Sequence, residues 1–174
     1  GYIRGFSIED IKVALESFIP SPAQTPGRLN MFRFKEFDVL IDYAHNAAGL
    51  RALKQMVSKM DGSPKVGMIA GIGDRRPEDN HEIGVVAAEM FDEIIIRQDK
   101  NLRGKTELEL IEMIHNGIKS VSDKKPVTII PSEHDAIIHA FKTATKGSLI
   151  VLCSDVVPDA LNLVMKFKEE EARG

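Results

Sequence analysis

Three short stretches of this chain hold most of the residues able to do chemistry. Asp42-Tyr43-Ala44-His45-Asn46 brings a carboxylate, an imidazole and an amide within five positions. A carboxylate there can accept hydrogen bonds from ribose hydroxyls, while Asn and His can meet the edge or face of a purine. Asp42 or Asn46 could equally serve as the cap of a following helix, with His45 a solvated loop residue. Gly71-Ile72-Gly73-Asp74-Arg75-Arg76-Pro77 sets two guanidinium groups beside amides that glycine leaves accessible. Amides at a helix start and the bidentate fork of arginine suit phosphate or carboxylate. A tight turn in which Asp74 pairs with an arginine is the plainer alternative, and the third glycine of a dinucleotide fingerprint is absent. Gln98-Asp99-Lys100-Asn101-Leu102-Arg103-Gly104-Lys105 carries three cations and one acid. It reads either as a substrate-facing loop or as a solvated charged run.

Each stretch directly follows a short apolar run, and that placement gives the residues their meaning. Apolar runs at 37–41, 66–70, 94–96, 127–130 and 149–152 predict strands, the last four buried and parallel. Helical periodicity predicts helices over 8–17, 47–60, 77–90, 106–119, 133–145 and 158–170. Ser7 with Asp10, and Thr106 with Glu109, have capping-box spacing. An alternating stretch over 28–34 pairs with 37–41 across Lys35-Glu36 as an N-terminal hairpin. Strand and helix in alternation predict an α/β fold with an open, doubly wound, mostly parallel sheet, because right-handed crossovers place helices on both faces. Ligands of such sheets lie beyond the carboxyl ends of the strands, where the three loops fall. Pro20 to Gly27, with three prolines and a glycine, reads as an extended linker between the first helix and the domain.

Composition narrows the classes. With 174 residues and 43% hydrophobic content the chain can bury one core. Its net charge of -3 provides no basic field for nucleic acid. No apolar run approaches the roughly 20 residues that span a bilayer, so neither nucleic acid nor membrane is an expected partner. The single Cys153 sits in an apolar run and reads as a buried thiol, and a reducing cytoplasm fits best. Asp42, His45, Asp74, His81, His115, His134 and His139 could supply metal ligands, but no HExxH or paired CxxC occurs and the spacing argues against a metal centre.

Taken in order, Thr25-Pro26-Gly27-Arg28, Asp42-Tyr43-Ala44-His45-Asn46 and Gly73-Asp74-Arg75-Arg76 resemble the C-terminal domain of the Mur ligase family. Ala87-Ala88-Glu89-Met90-Phe91-Asp92, Asp99 and Leu102-Arg103-Gly104 turn the likeness toward its cyanophycin synthetase branch. The resemblance implies a Rossmann-like domain over 28–174, preceded at 1–27 by the helix and linker leaving a central ATPase domain. It implies a ligase that activates a carboxylate as an acyl phosphate with ATP and Mg2+, after which an amine attacks to form an amide. In that branch arginine is added to the β-carboxylate of aspartate in a poly-aspartate backbone, and a separate ATP-grasp part adds the aspartates. By the same resemblance Arg28, Asp42, His45, Asn46, Asp74 and Arg75 would serve the nucleotide, and Arg76, Asp99 and Arg103 the substrate. A homo-oligomeric parent is expected, with Mg2+ held mainly by the central domain, since no GxxxxGK[ST] loop occurs here. The isolated domain is expected to be inactive. Ala47 stands where the family has proline, which would loosen the helix start. Other Mur-type ligases acting on peptidoglycan precursors or folate, or a nucleotide-binding scaffold without chemistry, are the alternatives.

Overall fold

The computed structural model describes residues 2–17, 21–97 and 102–174. After a single 3-10 turn at Tyr2–Arg4, the elements run α1 (Ile8–Glu16), β1 (Asn30–Arg33), β2 (Asp38–Asp42), α2 (Ala47–Val57), β3 (Lys65–Ala70) and α3 (Pro77–Met90). They continue with β4 (Glu93–Arg97), α4 (Glu107–Val121), β5 (Val127–Ile129), α5 (Glu133–Thr143), β6 (Leu149–Cys153) and α6 (Val157–Arg173). The six strands form one sheet in the order β1-β2-β6-β3-β4-β5. β1 pairs antiparallel with β2, which is the expected hairpin, and the pairings among the other five strands are parallel.

Period-two alternation divides the apolar residues between two cores. On β6, Leu149, Val151 and Cys153 pack on one face with α2, α3 and α4, while Ile150 and Leu152 pack on the other with α5 and α6. That division makes the sheet doubly wound, and it explains why β6, in the middle, is apolar at every position. Each such side chain contributes about 1.5–3 kcal/mol by leaving water. β5 departs from the expected buried strand: Thr128 and Ile129 are exposed, because β5 lies at the sheet's edge and has a strand neighbour on one side only.

α3 and α4 approach through glycine. A Cβ on Gly84 would sit 2.1 Å from the Ile114 carbonyl oxygen, and one on Gly117 would sit 2.0 Å from that of His81. The helices therefore touch backbone to backbone. Both capping boxes form: Ser7 Oγ accepts from the Asp10 amide at 3.0 Å, and Thr106 Oγ1 accepts from the Glu109 amide at 3.2 Å. α1 nevertheless buries none of its residues, and Ile8 and Leu15 are left exposed. Among the described residues no helix is long and apolar enough to cross a membrane.

Candidate functional site

The carboxyl ends of β2, β3, β4 and β6 open onto two neighbouring cavities that share Tyr43, Ala44 and His45. The first, of ≈ 200 Å³, takes Asp74 and Arg75 from the loop after β3 and Arg103 from the loop before α4. Its wall toward β6 is made by Arg97, Cys153, Ser154 and Asp155. The second, of ≈ 410 Å³, has Arg28, Asp42 and Asn46 at its polar side and Leu29, Leu53 and Met56 as apolar lining. An apolar lining with a few polar groups at the margin is the usual build of a small-molecule site.

Backbone contacts fix the β2 loop. The Tyr43 amide donates to the Gly27 carbonyl at 2.8 Å, and the Ser154 amide donates to that of Asp42 at 3.0 Å. Asp42 accepts from the amides of Leu29 (3.0 Å) and Ala44 (2.8 Å), one on each carboxylate oxygen. A carboxylate has about four acceptor positions, so Asp42 keeps capacity for a ligand hydroxyl after bracing its loop. Leu29 is held at φ 53°, a left-handed conformation that costs a branched residue roughly 1–3 kcal/mol and persists only where its surroundings impose it. Asn30 helps impose it: fully buried, it accepts from the Gly27 amide at 2.7 Å and donates to the Thr25 and Arg28 carbonyls. Arg28 thus projects from a fixed turn, its guanidinium 5.1 Å from the Tyr43 ring centroid. His45 lies at 4.9 Å from the same ring, tilted by 52°. Asn46 caps α2 by accepting from the Gly49 amide at 2.8 Å, so the helix starts firmly at Ala47 without proline.

The β3 loop is braced from two sides. Asn80, fully buried on α3, accepts from the Ile72 amide at 2.9 Å and donates to its carbonyl at 3.0 Å. Lys105 donates to the carbonyls of Gly73 (2.5 Å) and Arg75 (2.7 Å), and Arg103 pairs with Asp74. The pairing expected of the tight-turn alternative is present, with Asp74 held by Arg103 and not by an arginine of its own loop, while Arg75 lines the cavity. Arg76 points elsewhere, 77% exposed and 2.9 Å from Asp79. This hydrogen-bonded pair raises the Arg76 pKa and lowers that of Asp79. Asp99 lies outside the described residues.

The sequence reading missed Arg97, Ser154 and Asp155 on the cavity wall, together with Glu133 behind it. Arg97 is the last residue of β4, one position before the loop on which attention fell. The two braces Asn30 and Asn80 were also missed. Asn80 was signalled by a polar residue in the apolar stripe it shares with Ile83, Gly84 and Ala87.

Cys153 lines the same cavity as a buried free thiol. Burial, assisted by the Asp42 carboxylate, pushes its thiol up to about 12. At pH 8 the thiolate is then a fraction of about 10⁻⁴, so alkylation of the folded chain should run at least ~1000-fold slower than in denaturant. Timed reaction with iodoacetamide in buffer and in urea checks this, and comparable rates would mean an accessible thiol.

Comparison with known proteins places the chain in a family. The family model described as Mur ligase, glutamate ligase domain matches residues 27–156. A cyanophycin synthetase of Crocosphaera subtropica is 37% identical over 163 residues, 94% of this chain and 19% of the relative. A UDP-N-acetylmuramoyl-L-alanyl-D-glutamate--2,6-diaminopimelate ligase of Alkaliphilus oremlandii is 32% identical over 87% of this chain and 30% of its own length. The chain thus spans less than a third of either relative. Among solved structures, E. coli FolC in complex with ADP superposes with a TM-score of 0.67 at 18% identity, over 95% of this chain and 37% of that one. With the family model spanning β1 to the β6–α6 loop, this chain belongs to the Mur ligase family as its glutamate ligase domain.

Proposed function

We propose that this chain is the C-terminal domain of an ATP-dependent amide ligase of the cyanophycin synthetase kind. In this reading it closes over ATP held by a central domain and helps place the amino acid that attacks. The observation that carries the reading is the convergence of Arg28, Asp42, Tyr43, His45 and Arg75 on two adjoining cavities at the strand ends. The second cavity fits a nucleoside: its apolar lining takes the base beside Tyr43 and His45, Asp42 receives ribose hydroxyls, and Arg28 reaches phosphate. Among the described residues no three carboxylate, thiol or imidazole groups cluster about a common point, so Mg2+ would be held with the phosphates by another domain of the parent ligase.

The chemistry needs two transfers. The γ-phosphoryl group passes to a carboxylate, giving an acyl phosphate and ADP. The amine nitrogen then attacks the acyl carbon, phosphate leaves, and the amine loses a proton. This chain's part would be positioning and exclusion of water, which supply rate by holding both reactants in register. Three charge-assisted contacts at roughly 1.5–3 kcal/mol each, less at least about 4 kcal/mol for immobilising the ligand, leave an affinity of about millimolar or weaker for the isolated domain. Closure against the neighbouring domain is therefore required, and the chain alone should not turn over.

The test is ATP hydrolysis by the parent ligase with arginine and an aspartate-rich primer, alongside muramyl-peptide and folate acceptors. Turnover that depends on arginine and primer supports the reading. Turnover only with a muramyl peptide or folate would move the assignment to another Mur-type ligase, a direction to which the relative from Alkaliphilus oremlandii gives some weight. No turnover with any acceptor would leave a nucleotide-binding scaffold.

A further inference from the structure

A buried ion network forms the β6 wall of the first cavity. The Arg97 guanidinium, its side chain 4% exposed, lies 2.9 Å from Glu133 and 2.5 Å from Asp155. It also donates to the Cys153 carbonyl at 3.2 Å, and the Ser154 hydroxyl donates to Glu133 at 2.6 Å. Among these described residues one positive charge faces two negative ones. Glu133, 10% exposed, has both oxygens engaged, Oε1 by Ser154 and Oε2 by Arg97. Asp155 is more open, at 23%, and stands on the cavity wall. The unmatched negative charge of the set therefore resides at Asp155. Across the cavity the balance is reversed: Asp74 and Arg103 cancel as a pair, and Arg75 is left over. The cavity has an acidic pole on the loop after β6 and a basic pole on the β3 loop, in surroundings where charges act more strongly than in water.

We propose that Arg97 is a positioning residue that holds Asp155 as the acidic pole of this cavity. That pole receives the cationic group of an amino acid whose carboxylate is turned toward Arg75. A guanidinium or ammonium group suits it better than a metal ion, because among the described residues no three carboxylate, thiol or imidazole groups gather where they could hold one. The inference deepens the ligase reading by naming what the cavity selects, and its first test is independent of turnover.

The isotope-labelled chain, followed by amide NMR, is titrated with arginine and separately with Nα-acetylcitrulline, which keeps the carboxylate and the length but has no positive charge. Arginine should shift the amides of Tyr43, Ser154 and Asp155 with an affinity at least roughly tenfold higher than the neutral probe, equivalent to about 1.4 kcal/mol. Asp155→Asn, which conserves shape, should bring that ratio near one while keeping the dispersed spectrum of a folded chain. Arg97→Lys keeps the charge but loses the planar fork, and it should do the same; if it unfolds, Asp155→Asn decides. Equal binding of the two probes by the unaltered chain, no shift with arginine, or an undiminished ratio in folded Asp155→Asn overturns the proposal. In the parent ligase, Asp155→Asn should raise KM for the amino acid and leave KM for ATP unchanged. Absence of turnover there counts against the ligase reading and leaves the NMR result standing.

Discussion

Gly117→Ala and Gly84→Ala should each destabilise the chain by about 3 kcal/mol, against the gain of roughly 1 kcal/mol that alanine brings to an exposed helix. The sign follows from what the new methyl group would meet. At both positions it is a carbonyl oxygen of the opposite helix, at 2.0 and 2.1 Å, and backbone in the middle of a helix cannot swing aside as a side chain can. The helices must move apart, and Ile83, Ile114 and Ile118, which lie in the core next to this contact, lose packing with them. Because each glycine meets the helix that carries the other, the double variant should cost less than the sum of the two. Urea unfolding followed by circular dichroism measures this as a lower midpoint at unchanged slope. Either alanine variant matching the unaltered chain in stability would mean that the helices are not in backbone contact.

Arg28→Ala should slow turnover of the parent ligase by about 100-fold or more, in the range found when one preorganised donor to a developing charge is removed. The fold should scarcely notice. Arg28 is exposed, and its one ring contact, 5.1 Å above Tyr43, contributes at most about 1 kcal/mol at such a site. The turn beneath it is held by Asn30 and Asp42, not by the guanidinium. Arg28→Lys should recover part of the rate only, since lysine keeps the charge and loses the bidentate plane. Steady-state kinetics beside a thermal melt separate the two effects. An unchanged rate would remove Arg28 from the nucleotide site, and a collapsed melt would make it a structural residue.

What could be read from the sequence followed from how local its causes are. Strand and helix periods depend on neighbours a few positions away, and the expected elements appear with ends shifted by a few residues: α2 stops at Val57 and α6 begins at Val157. The three loops were legible because each follows an apolar strand in the chain. The cavity wall was not, since it depends on partners brought together only by the crossovers. Arg97 reaches a carbonyl 56 positions away, and Ser154 reaches a carboxylate 21 positions away. No local pattern marks a residue such as Glu133, which reads as an ordinary first-turn acid of α5. Arg76 shows the converse. It sits in the right stretch, yet the spacing that starts α3 gives it Asp79 as a partner and turns it to solvent.

The backbone contact between α3 and α4 has a thermodynamic consequence for the loops at their starts. The β3 loop feeds into α3 and the Arg103 turn feeds into α4, and Lys105 bolts the one to carbonyls of the other. The β3 loop and the turn at Arg103 are thereby tied into a single jaw. Their ordering entropy, about 1–2 kcal/mol per residue for backbone alone, is charged to folding and not to ligand capture. Calorimetry should accordingly find no large unfavourable entropy when an anion docks at Arg75, and loosening the jaw with Lys105→Ala should introduce one.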